Sequence, residues 1–322
     1  MSETPSHYPV MLAETLEHLA IRPDGIYLDC TAGLGGHTGA IARKLVTGKV
    51  ISCDRDIASL AMARENTQDA RERIQFFHAE FSRIAETVEQ AGFGPVDGLL
   101  ADLGVSRYQL TTAARGFSFM ADGPLDMRMD QSAAQAPTAD TLVNESTEQV
   151  LADWIHQFGG ERRARKIARA IVRSRPIRST SHLAGVVERA VHRTGPAHPA
   201  TRTFMALRII VNREEEELDS LLDAAPDVVK PLGRLVVISF MSTEDRKVKE
   251  QFRTLQQEGR VRILTKKPLE PSEEEVRRNS PSRSAKLRAA EKLGQAGEVG
   301  NESGVGLGAE RHGNAGDVFS QI

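Results

Sequence analysis

The chain has 322 residues, 40% of them hydrophobic and 27% charged, enough to bury a sizeable core in one large domain or two ordinary ones. No apolar run approaches the roughly 20 residues of a membrane span. The opening MSETPSHYPV has neither the basic nor the apolar region of a signal peptide, so the cytoplasm is the expected compartment. A net charge of −2 argues against a protein that coats nucleic acid through global charge. Two cysteines, Cys30 and Cys53, are too few ligands for a zinc site, and no metal is expected.

Apolar, β-rich runs end at Cys30 (IYLDC), Cys53 (KVISC), Phe77 (RIQFF) and Asp102 (VDGLLAD), separated by helix-like stretches. That alternation predicts a parallel sheet of βαβ units. Both cysteines fall near strand ends, where reduced, buried thiols are expected; a cytosolic setting disfavours a disulfide between them. After Asp102 the strand rhythm stops for about a hundred residues. Loops and helices are expected there: LVNESTEQVLADWIHQF, a basic stretch from Glu161 to Arg178, then STSHLAGVVERAVHR. The basic stretch carries eight basic side chains and one acid. Within it Arg162, Lys166, Arg169 and Arg173, three or four apart, should share one helix face, either as a nucleic-acid contact or as a solvated surface. A helix-like stretch over 206–230 and the turn Pro231-Leu232-Gly233 lead into the strand RLVVISF at 234–240, with further strand candidates at 260–265 and 284–292.

The predicted fold is thus α/β, a doubly wound sheet interrupted after its fourth strand by a helical insertion. Residues 1–108 and 210–292 form the two parts of the core, 109–209 the insertion, and 293–322 a disordered Gly-rich tail. An insertion at the carboxyl end of a central strand stands over the crevice where such sheets bind ligands, which suits a substrate-gripping cap.

In YLDCTAGLGGHTG (residues 27–39) a strand runs directly into a glycine-rich turn and a helix. The dinucleotide fingerprint G-x-G-x-x-G would need glycine where Thr38 stands. Asp29, four positions before Gly33, would oppose a pyrophosphate but attract the ammonium and sulfonium of S-adenosylmethionine. Asp54 closes the second strand where an acid accepts hydrogen bonds from adenosine ribose hydroxyls.

With HYPVMLAE, GLGGHT, CDRD, DLGVS, GFSFMADGPLDMRMD, HPATRTFMALRIIVN and SFMSTEDR in order, the chain resembles the MraW (RsmH) family of ribosomal RNA cytosine-N4 methyltransferases over residues 7 to 292. The resemblance implies a Rossmann-like class I methyltransferase sheet with an inserted substrate-binding domain. Gly35, Gly36 and His37 would contact S-adenosylmethionine, Asp54 its ribose, and Phe81, Asp102 and Gln109 would complete the pocket. The implied substrate is a cytosine of small-subunit (16S) rRNA in the decoding region, within an assembling 30S particle. No membrane is implied, and a homodimer stays open.

Cytosine's exocyclic amine is a poor nucleophile because its lone pair is delocalised into the ring. The site must therefore align it with the methyl group and accept hydrogen bonds from its protons. Asp102 is the best-placed acid for that role, with binding of cofactor alone as the other reading. Access requires an unpaired or extruded base. Phe117 and Phe119 are candidate stacking groups and Asp126 and Arg128 candidate polar contacts, or else insertion core. His198, Thr201 and Arg202, just before a helix, could bind phosphate or cap that helix. Two departures from the family pattern stand out: Arg107-Tyr108 where Ser-Pro is common, and Met241 where His is common. The rival class is a noncatalytic RNA-binding ribosome-assembly factor that keeps the fold.

Overall fold

A computed structural model describes residues 8–193 and 195–294; the expected tail lies outside them from residue 295 onward. After helix α1 (Leu12–Leu19) the chain alternates β1 (Ile26–Asp29), α2 (Gly36–Lys44), β2 (Lys49–Asp54), α3 (Ile57–Asn66), β3 (Ile74–His78), α4 (Ile84–Ala91) and β4 (Val96–Asp102). A helical stretch follows: α5 (Arg107–Thr111), α6 (Ala139–Glu145), α7 (Glu148–Gln157), α8 (Ala164–Arg173), α9 (Thr180–Ala190), α10 (Thr201–Asn212) and α11 (Glu214–Val228). Then come β5 (Val229–Ser239), α12 (Ser242–Gln257), β6 (Val261–Ile263), α13 (Glu273–Arg278) and β7 (Lys286–Lys292).

The seven strands form one sheet in the order β3-β2-β1-β4-β5-β7-β6, parallel except for β7, which is antiparallel to both neighbours. The chain winds outward from β1 to β3 and returns past β1 to β4. Beyond the carboxyl ends of β1 and β4, where the winding reverses, such sheets bind ligands. This is the doubly wound, Rossmann-like sheet that the sequence predicts.

Helices cover both faces, so successive strand residues are apolar whichever way they point. Leu28, Leu99 and Val237 pack with Val88 of α4, Leu221 of α11 and Phe252 of α12. Tyr27, Leu100 and Val236 pack on the other face with Leu19 of α1 and Ile41 of α2. Cys30 and Cys53 are free, buried thiols at the ends of adjacent strands, and burial pushes both thiol pKa values up.

Residues between Phe117 and Val211 build a separate core, with Met127, Leu151, Ile167, Leu183 and Phe204 at its centre. In α8 the buried positions Ala164, Ile167, Ala168 and Ile171 repeat at one helical face, which leaves the basic residues outside.

Three local expectations differ from the structure. The stretch 206–230 is two helices, because Arg213 adopts a left-handed backbone (φ 50°) between α10 and α11. Pro231-Leu232-Gly233 lies inside β5 as an irregularity, with Leu232 at φ 64° and a register shift against β4. Arg162 precedes α8 and its capping residue, so only Lys166, Arg169 and Arg173 of the expected basic face are helical.

Candidate functional site

A cleft of about 370 Å³ opens above the carboxyl ends of β1, β2 and β4, roofed by residues of the α5 loop, α10 and α11. Six carboxylates line it (Asp54, Glu80, Asp102, Glu214, Glu217, Glu244) against three guanidinium groups (Arg55, Arg107, Arg208). Such a lining favours a cationic ligand and disfavours a pyrophosphate.

The glycine-rich turn is held from beneath. Asp29, fully buried, accepts hydrogen bonds from the Thr31 backbone N–H (3.1 Å), the Thr31 hydroxyl (3.3 Å) and the Thr38 hydroxyl (2.6 Å). It does not line the cleft, so any attraction it exerts on a ligand acts at a distance, while its hydrogen bonds anchor the loop. Thr38, the residue that breaks the dinucleotide fingerprint, is what Asp29 holds. Gly35 has φ 85°, and a Cβ there would meet Thr67 Cγ2 at 2.9 Å and the Ala63 backbone at 3.1 Å. Its lack of a side chain thus lets the turn pack on α3, and the cleft lining includes Gly36 and His37 but not Gly35.

Asp54, at the end of β2, accepts from the backbone N–H groups of Gly33 (2.8 Å) and Asp56 (2.9 Å). Burial raises its pKa to about 6 against the pull of those two donors. A carboxylate offers about four acceptor sites, so Asp54 retains capacity for ligand hydroxyls. Phe81 borders the cleft just beyond β3, half-buried, next to the layer of α4 and α11.

Asp102 ends β4. Its backbone N–H donates to the Thr31 hydroxyl (2.8 Å), and its Oδ2 lies 3.6 Å from His37 Nδ1. Its Oδ1 is buried with no hydrogen-bond partner among the described residues. Burial, then the charges of Asp29, Glu244 and Glu275, hold its pKa well above the usual carboxylate range. The Val10 carbonyl, 2.9 Å from His37 Nε2, can only accept, so that ring nitrogen carries a hydrogen. An orphaned carboxylate oxygen beside a cleft is costly to keep unless a ligand donor meets it.

Gln109 lines the cleft from α5, where it forms a reciprocal cap with Ser106. Its amide donates to Asp56 Oδ2 (2.8 Å), which also receives Arg115 Nη1 (2.7 Å). Arg115 Nη2 donates to the carbonyls of Arg128 (3.0 Å) and Met129 (2.9 Å). A buried ion pair therefore fastens the helical region to the start of α3. Sequence reasoning, which assigned a role to Asp54 alone at this strand end, missed it. Asp56 carries a sequence signal, an acid capping the helix that follows, since it accepts from Ala58 and Ser59 N–H; Arg115 carries none. Arg208, paired with Glu214 (2.8 Å), and Glu244, which accepts from the Phe240 and Met241 N–H groups (2.9 and 3.0 Å), were also unforeseen in the cleft. Met241 Sδ lies 3.9 Å from Arg208 Nη2.

The expected substrate residues divide. Phe117 is 6% exposed in the core of the helical region, its ring 5.8 Å from the Arg115 guanidinium, and does not border the cleft; it packs the core and is not placed to stack on a base. Asp126 and Arg128 bind each other (2.7 and 3.0 Å), with Gln131 on Asp126 and the Ala133 carbonyl on Arg128, so their polar atoms stabilise the turn at Met127. Phe119 and His198 do come together, ring centroids 4.7 Å apart, with Phe204 edge-on at 4.9 Å. His198 Nδ1 accepts from the Ala200 N–H (3.1 Å). Thr201 and Arg202 lie within the first turn of α10, and Arg202, exposed, donates to the Gly160 carbonyl (3.1 Å).

The sequence model of the MraW methylase family matches residues 4–293. The chain is 64% identical over 285 residues to the ribosomal RNA small subunit methyltransferase H of Solibacter usitatus (strain Ellin6076), with 88% of this chain and 99% of that protein covered. It is 48% identical over 297 residues to the protein of the same name from Koribacter versatilis (strain Ellin345), covering 88% and 93% respectively. With the cleft, its acid-rich lining and nearly the whole chain in register with these relatives, the chain belongs to the MraW methylase family.

Proposed function

We propose that this methylase transfers a methyl group to the N4 amine of a cytosine in small-subunit ribosomal RNA, in the decoding region, with the assembling 30S particle in the cytoplasm as its setting. Its cofactor is S-adenosylmethionine, which supplies an electrophilic methyl group on a sulfonium. The residues present fit that group: the acid-rich lining suits its cationic centre, and Asp54 offers acceptors for its ribose hydroxyls. Gly36 and His37 would border it at the turn, Gly35 shaping that turn from behind, with Phe81 and Gln109 along the cleft.

The observation that carries the reading is the partnerless Oδ1 of Asp102 at the carboxyl end of β4. An exocyclic amine has two N–H donors and needs an acceptor that orients it and draws density toward its nitrogen. Asp102 offers that acceptor when ionised; burial favours its neutral form, so its carboxylate would be held charged by the cationic sulfonium of the bound cofactor. The region 109–209, fastened through Arg115 and Asp56, would present the RNA above it, with Phe119, His198 and Arg202 as its contacts. Names of the curated relatives, which specify small-subunit ribosomal RNA, support the substrate class.

Asp102→Ala and Asp102→Asn should each lower single-turnover methyl transfer at least 100-fold with S-adenosylmethionine affinity changed far less. Loss of cofactor binding with normal transfer at saturating cofactor would reduce Asp102 to a cofactor ligand.

A further inference from the structure

Between residues 161 and 193 lie ten basic side chains and two acids, Glu161 and Glu188. Arg162, Arg165, Lys166, Arg169, Arg173 and Arg178 are all exposed. Arg169 is 3.2 Å from Glu148, but the other five pair with no carboxylate among the described residues. On the α11–α12 layer the cations are mixed: Lys247 meets Asp219 and Glu215 and Arg260 meets Asp227, while Arg246 and Arg253 are exposed without a carboxylate partner among the described residues, but they stand apart rather than in a cluster of six. Arg165 and Lys166 also occupy the first turn of α8, which has no acid, although the positive end of a helix disfavours cations. The fold gains nothing from this charge, since α8 is held by its opposite, apolar face. None of these residues borders the cleft.

We propose that the outer face of α8 is a second docking surface that grips the phosphate backbone of the substrate RNA away from the cytosine being modified. The proposal rests on the RNA-methylase reading and adds to it the site of affinity. Side chains three and four apart on a helix stand about 5–6 Å from one another, so Lys166, Arg169 and Arg173 form a row of separate point contacts for successive phosphates. Contacts to phosphates fix position and register while the cleft reads the base. The net charge of −2 then confines attraction to this face instead of coating the molecule in RNA.

The test measures binding of an unmodified small-subunit ribosomal RNA transcript across a salt series. Lys166→Gln/Arg173→Gln is compared with Arg246→Gln/Arg253→Gln, which removes the same charge from exposed positions of α12. Losing two phosphate contacts should lessen the slope of log affinity against log salt by about 1.4–1.8. The α8 pair should weaken binding about tenfold or more and raise the KM for RNA while kcat at saturating RNA and S-adenosylmethionine affinity stay within twofold. Unchanged cofactor affinity shows that the variant is folded, and Lys166→Glu/Arg173→Glu should deepen the loss. Equal slopes and affinities in the two pairs would overturn the docking surface. RNA binding that depends on α8 without methylation by the wild type would uphold it and defeat the catalytic reading. Equal competition by polyglutamate at matched charge would reassign the face to an acidic protein.

Discussion

Replacing Arg115 by Met removes the cation and one of four donors from the Asp56 carboxylate, and the side-chain donor from the Arg128 and Met129 carbonyls. Both ends of the ion pair are 3% exposed, so water cannot replace the lost bonds. Breaking a buried pair from one side costs roughly 3–5 kcal/mol. Asp56 would keep the Ala58 and Ser59 N–H groups and Gln109, which places the expected loss at the low end, about 3 kcal/mol or roughly 100-fold in the folding equilibrium. Equilibrium urea unfolding measures it, with circular dichroism for the whole chain and fluorescence for the helical region, where the single tryptophan, Trp154, packs against the core. Because Asp56 also positions Gln109, cofactor affinity should fall with stability, and Arg115→Met/Asp56→Asn should recover part of the loss. A variant within about 0.5 kcal/mol of wild type, the ordinary range for a surface substitution, would refute the view that this pair fastens the two regions.

Gly35→Ala, which combines φ 85° with contacts at 2.9 and 3.1 Å, should destabilise by about 2–3 kcal/mol and weaken cofactor binding. Gly33→Ala, at φ 51° with its nearest atom at 3.9 Å, should cost only about 1 kcal/mol; thermal unfolding that ranks them the other way contradicts the packing argument. Asp54, with its folded pKa near 6 and an unfolded one near 4, binds more protons folded than unfolded between those values. Its contribution to stability is therefore present below pH 4 and lost as pH rises through 6. Cofactor affinity should run the opposite way, falling below pH 6 as the carboxylate protonates, and calorimetry on Asp54→Asn should show that dependence gone. Phe117→Ala should cost about 3–5 kcal/mol as a core truncation, whereas Phe119→Ala should stay folded and raise the KM for RNA; a stable Phe117→Ala with the larger KM effect would reverse their roles.

Strand positions were legible because each buried β-run is short, apolar and bounded by turn residues: β1, β2, β3 and β4 end within a residue or two of IYLDC, KVISC, RIQFF and VDGLLAD. The break at Arg213 was not, since periodicity continues across it and one left-handed residue redirects the helix. Asp54, Asp102 and the glycine turn could be read because chemistry and strand ends coincide there. Arg208 and Glu244, which line the cleft, and Arg115, which braces Gln109 from behind through Asp56, could not, because they are brought there by packing between residues distant in sequence, and no local pattern marks such a meeting. Phe117 shows the converse, a motif residue whose aromatic character serves a core.

The most direct test incubates the purified protein with labelled S-adenosylmethionine and unmodified small ribosomal subunits and identifies the product nucleoside by mass spectrometry. N4-methylcytidine at one position, absent with Asp102→Ala, is the predicted result. Cofactor binding without transfer to RNA, or methylation at another atom, would contradict the account.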